Sequence, residues 1–309
     1  MSSSYALYGF TLRSELTLPA AAPAGEASGD VVEVRFGPVP GRPGGHLWTE
    51  EGGGALVFEA PQVARYRIAG GREILIDPAP GASDRNLRVF LLGSAMGALL
   101  HQRGVLPLHA NAIEIDGRAV AFAGKSGAGK STLAAWFADR GHRMLCDDVC
   151  AIAPDGKSGA LVLPGVPRLR LWEDALVHSG REAERFERSF DGQDKYDVPA
   201  GRAAASAPLP LAACYVLSVA EAGSPGAIDR LAGAEAVEAL VANSYRGRFV
   251  AALGLTARHL DLCVATAAAA PVHRAARRWG RAAFDDEAER LRKHAATIIK
   301  EQAFQKLEY

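Results

Sequence analysis

An α/β fold, with a small β-rich segment ahead of a larger region of alternating strands and helices, is what this 309-residue sequence predicts. Three observations predict it. Short β-type runs separated by glycine- and proline-rich turns fill residues 1–85. From Asn86 onward, apolar runs of strand length alternate with segments of helical period. Between one such strand and one such helix lies a glycine-rich octapeptide, Gly124 to Ser131, whose pattern requires that setting.

In chain order, β-runs are expected over Val31 to Phe36, Ala55 to Phe58, Ala64 to Ile68 and Glu73 to Ile76, forming a small antiparallel sheet with long loops. Leu87, Leu91, Leu92, Ala95, Leu99 and Leu100 then recur at helical spacing and predict a helix leading into the second region, residues 86–309. Asn111 to Ile115 and Ala119 to Ala123 read as strands joined by Asp116-Gly117, a strong hairpin signal. A helix is expected over Lys130 to Asp139, then strands over Arg143 to Cys146 and Val149 to Ala153. Leu211 to Ser218 reads as a buried strand, Val237 to Asn243 and Arg248 to Ala270 as helices, and Val272 to Arg274 as a short strand. The final helix, Asp285 to Leu307, places Ala288, Leu291, Ala295 and Ile298 on one face. Strands alternating with helices predict a largely parallel core.

Composition bounds the function. Hydrophobic residues make up 49% and charged residues 23%, ordinary for a soluble globular chain. With 35 Lys+Arg against 35 Asp+Glu, the chain lacks the cationic excess that wraps nucleic acid or coats an acidic membrane. Its longest apolar run, Val89 to Leu100, falls short of the roughly 20 residues a bilayer core requires, and Arg88 and His101 bracket it. No basic stretch precedes an apolar one at the start, so no signal peptide is expected and a cytoplasmic location is. Cys146, Cys150, Cys214 and Cys263 lack metal-site spacing and are expected to be buried free thiols.

Gly124-Lys125-Ser126-Gly127-Ala128-Gly129-Lys130-Ser131 satisfies G-x-x-x-x-G-K-[ST]. Glycines at 124, 127 and 129 allow backbone angles that turn successive N–H groups inward, forming a nest for anionic oxygens. The helix beginning there adds its positive end. Lys130 reaches β- and γ-phosphates, Ser131 is placed to ligate Mg²⁺, and Thr132 follows in the same turn. This predicts a nucleotide-triphosphate site. Next comes Met144-Leu145-Cys146-Asp147-Asp148, an apolar strand ending in two carboxylates. Neighbours on a strand face opposite ways, so the strand must stop at the pair for both to serve one site. One carboxylate then serves Mg²⁺ and the other accepts the proton of an attacking hydroxyl. Asn-Lys-x-Asp is missing, since the asparagines are Asn86, Asn111 and Asn243. Leu-Ser-Gly-Gly-Gln, His-Arg-Asp and Asp-Phe-Gly are missing too. Guanine-specific GTPases, transporter-type ATPases and eukaryotic-type kinases are thereby disfavoured.

Leu108-His109-Ala110, Asp116-Gly117, the octapeptide, Arg140-Gly141-His142-Arg143 and Asp147-Asp148-Val149 together resemble the catalytic domain of HPr kinase/phosphorylase. That family shares its P-loop fold with the ATP-dependent phosphoenolpyruvate carboxykinases. The resemblance is close from Leu108 to Val149 and looser over residues 86–300. It implies that Asp147 is the base facing the acceptor hydroxyl, that Asp148 with Ser131 serves Mg²⁺, and that His109 lies beside the reacting centre. By its residues alone, His109 reads equally as a strand-end histidine bonded to backbone. The Glu-x-Arg-Gly segment of the bifunctional enzyme is replaced here by Gly165-Val166-Pro167-Arg168-Leu169-Arg170-Leu171-Trp172, which argues against phosphorolysis and against HPr as substrate. Ser14-Glu15-Leu16, the Arg168 to Trp172 run and Lys195 before Pro199 are more similar to HPr-kinase-related proteins, among them lasso-peptide precursor kinases. That resemblance implies a peptide or protein partner carrying an acceptor serine.

Lys195 and Arg202 are candidates to meet charge on the transferred group, from a polar stretch, Arg188 to Arg202, that reads either as a flap over the site or as a solvated loop. Arg168 and Arg170 stand two apart on a β-run and so point one way, toward phosphates or an acidic acceptor. Arg277, Arg278 and Arg281 read as a solvated basic face. The leading expectation is an ATP/Mg²⁺-dependent kinase acting on serine of a ribosomal peptide. Its rivals are a small-metabolite or carboxykinase-like enzyme and a nucleotide-gated binding module. Whether the last helix packs on its own domain or on a second copy, as in a homo-oligomer, stays open.

Overall fold

The computed structural model describes residues 2–25, 30–42, 45–50, 53–200 and 204–305. The chain is mixed α/β, built on three sheets. Eight strands make the first: β1 (Ser3–Leu7), β2 (Phe10–Ser14), β3 (Ala22–Pro23), β4 (Val31–Phe36), β5 (Leu47–Thr49), β6 (Ala55–Ala60), β7 (Ala64–Ala69) and β8 (Glu73–Pro78), in the order β3-β1-β2-β4-β8-β7-β6-β5. The expected antiparallel sheet is in fact mixed, because β4 runs parallel to both β2 and β8. Long links into and out of β4 permit this, where a tight hairpin would have forced the opposite sense.

The chain then forms α1 (Asp84–Phe90), a π-helical turn (Leu91–Ala95) and α2 (Met96–Gln102). Ser83 caps α1 by accepting from the Asn86 amide. One core joins this helical segment to the first sheet. Leu12, Ile68, Ile76, Leu91, Met96 and Phe249 share it, and the Phe58 and Phe249 rings stack at 5.7 Å.

The remaining strands are β9 (Leu106–Leu108), β10 (Ala110–Ile115), β11 (Arg118–Ala123), β12 (Met144–Cys146), β13 (Cys150–Pro154), β14 (Ala160–Leu163), β15 (Arg168–Trp172), β16 (Glu187–Arg188), β17 (Lys195–Pro199), β18 (Leu209–Val219), β19 (Ala227–Leu231) and β20 (Val272–Arg277). Nine of them form the second sheet along the path β12-β10-β11-β18-β14-β13-β9, with β20 beside β18 and β19 beside β20. A largely parallel core is not what forms. Only β11–β18 and β18–β20 are parallel, since hairpins such as Asp116-Gly117 turn the flanking strands back. Strand β15 pairs with β17, and β17 with β16, in a small third sheet.

Side-chain alternation decides how the second sheet is covered. Val120 and Phe122 of β11 face α3 (Lys130–Asp139) and the C-terminal helix α8 (Arg281–Gln305). Ala119, Ala121 and Ala123 face the other side, where α5 (Ala234–Ala242) and α7 (Thr256–Ala269) pack. Small residues there let those helices approach closely. Helix α8 therefore rests on its own sheet. Ala288, Leu291, Ala295 and Ile299 are buried, Ile298 is only partly covered, and Gln302 donates to the Ala212 carbonyl at 3.0 Å. The helix expected over Arg248 to Ala270 is two, α6 (Arg248–Ala252) and α7, broken at Gly254, whose φ is +69°. Between α3 and α7 come α4 (Glu173–His178) and α5. Among the described residues the four cysteines are free and buried, and no helix is long and apolar enough to cross a membrane.

Candidate active site

Strand β11 lies in the middle of the second sheet and delivers the glycine-rich loop at its carboxyl end. Parallel neighbours β18 and β20 end on the same edge, where open α/β sheets bind ligands. Gly124 has φ +147°, and a Cβ there would meet the Leu217 carbonyl oxygen at 2.9 Å, so only glycine fits. Gly129, at φ +76°, precedes the first turn of α3. The octapeptide thus stands between a strand and a helix N-terminus, and Ser126, Gly127 and Gly129 line a cavity of about 790 Å³. That size lies within the roughly 300–1,000 Å³ of ordinary ligand pockets.

Lys130 is buried. Its ammonium donates to the carbonyls of Gly124 (2.8 Å) and Lys125 (3.1 Å), and burial depresses its pKa, opposed by Asp148 and Asp147. Asn111 secures the helix start by donating to the Lys130 carbonyl. Ser126, Gly127, Gly129, Lys130, Ser131 and Thr132 line this cavity, while Gly124 and Lys125 line a second one behind it. Ala128 lies against the loop's outer support, its carbonyl accepting from Arg277.

Strand β12 stops at Cys146, and Asp148 adopts φ +76°. This left-handed turn brings both carboxylates to the same cavity. Ser131 Oγ donates to Asp147 Oδ1 at 3.0 Å, and the Arg170 amide donates to Asp147 Oδ2 at 2.8 Å. Burial raises the Asp147 pKa, with the Arg170 amide opposing it. Asp148 takes other partners: His109 Nδ1 lies 3.2 Å from Oδ1, and an Arg170 guanidinium nitrogen 3.4 Å from Oδ2. Burial alone would raise the Asp148 carboxyl, but His109 and Arg170 outweigh it and hold it well below the usual range. The expectation grouped Ser131 with Asp148. The distances group Ser131 with Asp147 instead, because β12 points Asp147 toward the start of α3 and the turn at Asp148 points its neighbour toward β9–β10.

His109 sits between β9 and β10. Its ring packs 5.7 Å from that of Tyr245, which in turn lies against Gly93 and Gly97. Lys195 lines the first cavity with its ammonium 5.5 Å from the centre of the Trp172 ring. Burial first, then Arg170, depresses its pKa. It begins strand β17, paired with β15 and β16, so the described part of the polar stretch, Arg188 to Ala200, is anchored at both ends in a sheet rather than being a free flap. Asp191 at its turn is held by Ser83 and Arg85. Arg202 lies outside the described residues. Arg168 and Arg170 line one small cavity with both aspartates, and Arg168 also pairs with Asp197.

Sequence reasoning missed part of the site. Arg277 is buried, not solvated. It donates to the Ala128 carbonyl behind the loop, and burial lowers its pKa to about 10. Arg278 pairs with Glu287 at 2.7 Å. Trp279 and Trp172, both exposed, stand at the rim of the same cavity as flat aromatic faces. The sequence carried no signal for this: β20 reaches the sheet edge that bears the loop only through its parallel pairing with β18.

Comparison with known proteins follows the same region. A family described as SynChlorMet cassette protein ScmC matches residues 82–179, a segment holding His109, the glycine-rich loop, both aspartates and Arg170. The solved structure of the Hpr(Ser) kinase/phosphatase from Coxiella burnetii is similar at 16% sequence identity, over 66% of this chain and 99% of that chain, with a TM-score of 0.33. No curated protein matches the sequence.

Proposed function

We propose that this chain is an ATP/Mg²⁺-dependent phosphotransferase that moves the γ-phosphoryl group to a hydroxyl, with serine of a ribosomally made peptide as the acceptor class that the sequence resemblance favours. The carrying observation is the Ser131–Asp147 hydrogen bond of 3.0 Å beside Lys130, with a second carboxylate, Asp148, in the same cavity. Two hard oxygen donors at the mouth of a phosphate nest suit Mg²⁺, which binds through one or two protein oxygens and keeps its remaining places for phosphates and water. Ser131 and Asp147 would hold it, and it would supply neutralisation of the triphosphate's charge.

The protein's own groups do the rest. Loop amides and Lys130 orient the triphosphate, and Trp172 and Trp279 offer stacking faces for the base. Asp148, kept ionised and oriented by His109 and Arg170, accepts the hydrogen bond of the acceptor hydroxyl; being a weak base, it takes the proton late, as the acceptor oxygen bonds to the γ-phosphorus. The bond from that phosphorus to the bridging oxygen breaks and ADP leaves. Lys195 faces the charge that spreads over the transferred group. This division of roles between the aspartates reverses the one implied by resemblance, and it rests on which partner each carboxylate has.

Calorimetric titration with ATP and MgCl₂, paired with mass spectrometry of candidate serine peptides, tests the reading. Binding that Lys130→Ala weakens by about tenfold or more, and gain of one phosphoryl group by a peptide, are expected. Absence of ATP binding in the intact chain would sink it.

A further inference from the structure

Behind the glycine-rich loop lies a second cavity, of about 540 Å³. His109, Ser126, Asp148 and Arg170 line both cavities, so the two meet where Asp148 stands. Asp147 lines the first and not the second. The far wall is apolar, from Val89, Phe90 and Phe190, the two phenylalanine rings meeting edge to face at 6.2 Å. Its charge is one-sided. Lys125, Arg170 and Arg246 surround the space, and Asp148 is the single carboxylate among its lining residues. That carboxylate is already engaged by His109 and Arg170. Among the described residues Lys125 and Arg246 form no ion pair, and the buried Arg170 Nε has no hydrogen-bond partner. Two cations without a counter-charge, beside a cavity whose single carboxylate is already shared, call for an anion.

We propose that this second cavity is the acceptor site and that the acceptor is a hydroxy acid, its hydroxyl at Asp148 and its carboxylate held by Arg170 and Arg246. The assignment rests on the phosphotransferase reading above. A planar carboxylate matches the forked guanidinium donors, whereas a neutral alcohol leaves the cations unbalanced. The required chemistry, a hydroxyl a few bonds from a carboxylate, is supplied either by a free hydroxy acid or by a peptide that ends in serine. In the transfer, the carboxylate is unchanged. The hydroxyl oxygen gains phosphorus, Asp148 gains the proton, and ADP departs.

The test is calorimetry on the full chain with ATP affinity measured alongside. Glycerate is compared with glycerol, and a serine-ended tripeptide acid with its carboxamide. At least one acid should bind about tenfold or more tighter than its neutral partner, the preferred pair telling the two sources apart. Arg246→Glu should abolish that preference, Arg246→Lys should retain part of it, and ATP affinity should stay unchanged, since Arg246 does not line the first cavity. Equal binding of acids and neutral partners, no binding of either acid, or an Arg246→Glu variant that keeps the preference would overturn the assignment while ATP still binds. Loss of ATP binding in the unaltered chain would instead remove the parent reading, and this one with it.

Discussion

Asp148 holds a left-handed backbone conformation, φ +76°, that aspartate and asparagine tolerate better than most residues. Without that turn, strand alternation would send Asp147 and Asp148 to opposite faces. The same tolerance supplies a clean test, because asparagine keeps the backbone preference and removes only the charge. Asp148→Asn is expected to fold and to bind ATP with Mg²⁺ at close to the original affinity, while transfer falls about 10²–10⁴-fold. Asp147→Asn should act differently, weakening the dependence of ATP binding on Mg²⁺. Titrations at several Mg²⁺ concentrations, run with single-turnover assays, separate the two. If Asp147→Asn spared Mg²⁺ dependence and Asp148→Asn removed it, the roles would have to be exchanged. The residue pattern showed that a carboxylate pair serves one site, but not which partner each takes. That depends on the conformation of one peptide unit.

A π-helical turn over Leu91–Ala95 lies between α1 and α2, and such turns concentrate at functional sites. It presents Gly93, and α2 presents Gly97, to the Tyr245 side chain. A Cβ on Gly93 would stand 2.8 Å from the Tyr245 hydroxyl, and one on Gly97 2.8 Å from its ring. Tyr245 in turn backs His109, which partners Asp148. Gly97→Ala is therefore expected to push Tyr245 outward, cost about 1–3 kcal/mol of stability and lower transfer. Denaturant unfolding and kinetics at saturating ATP check this, and a variant with unaltered stability and rate would show Tyr245 to be movable. Elements were legible where local pattern and burial agree. The loop-to-helix passage at Gly124–Asp139, the β10–β11 hairpin and the C-terminal helix all lie close to their expected places. The hairpin of β1 and β2 turns at Tyr8-Gly9, with φ of +49° and +82°, and tyrosine carries no turn signal. Buried Arg277 was unreadable for a related reason, since its partner, the Ala128 carbonyl, is far away in sequence.

At the scale of the whole chain, the first sheet and the loop-bearing region share a core, so the expected boundary near residue 85 does not separate two cores. Tyr8 donates from its amide to the Pro164 carbonyl at 2.9 Å and from its hydroxyl to Val149 at 3.3 Å, one residue beyond Asp148. Burial keeps His101 and His273 neutral, pulling each pKa to about 4. The unfolded chain titrates these imidazoles near the ordinary 6.5, so between about pH 6.5 and 4 it binds more protons than the folded chain. Stability is then complete above that window and falls by about 2–5 kcal/mol on acidification through it, and His101→Gln should flatten the slope in urea titrations at stepped pH. Shared packing has a further consequence for cooperativity. Phe249 of α6 is fully buried and stacks on Phe58 of β6, so it belongs to both parts at once. Phe249→Ala opens a cavity there and should cost about 3–5 kcal/mol. If the core is common property, calorimetry of the full chain gives one transition, and this variant shifts all of it to lower temperature. Hydrogen exchange should then show β6, β7 and β11 losing protection together. Two transitions, with only the one containing β6 displaced, would mean that the first sheet unfolds on its own, and that the support it gives Asp148 through Tyr8 is dispensable for holding the site.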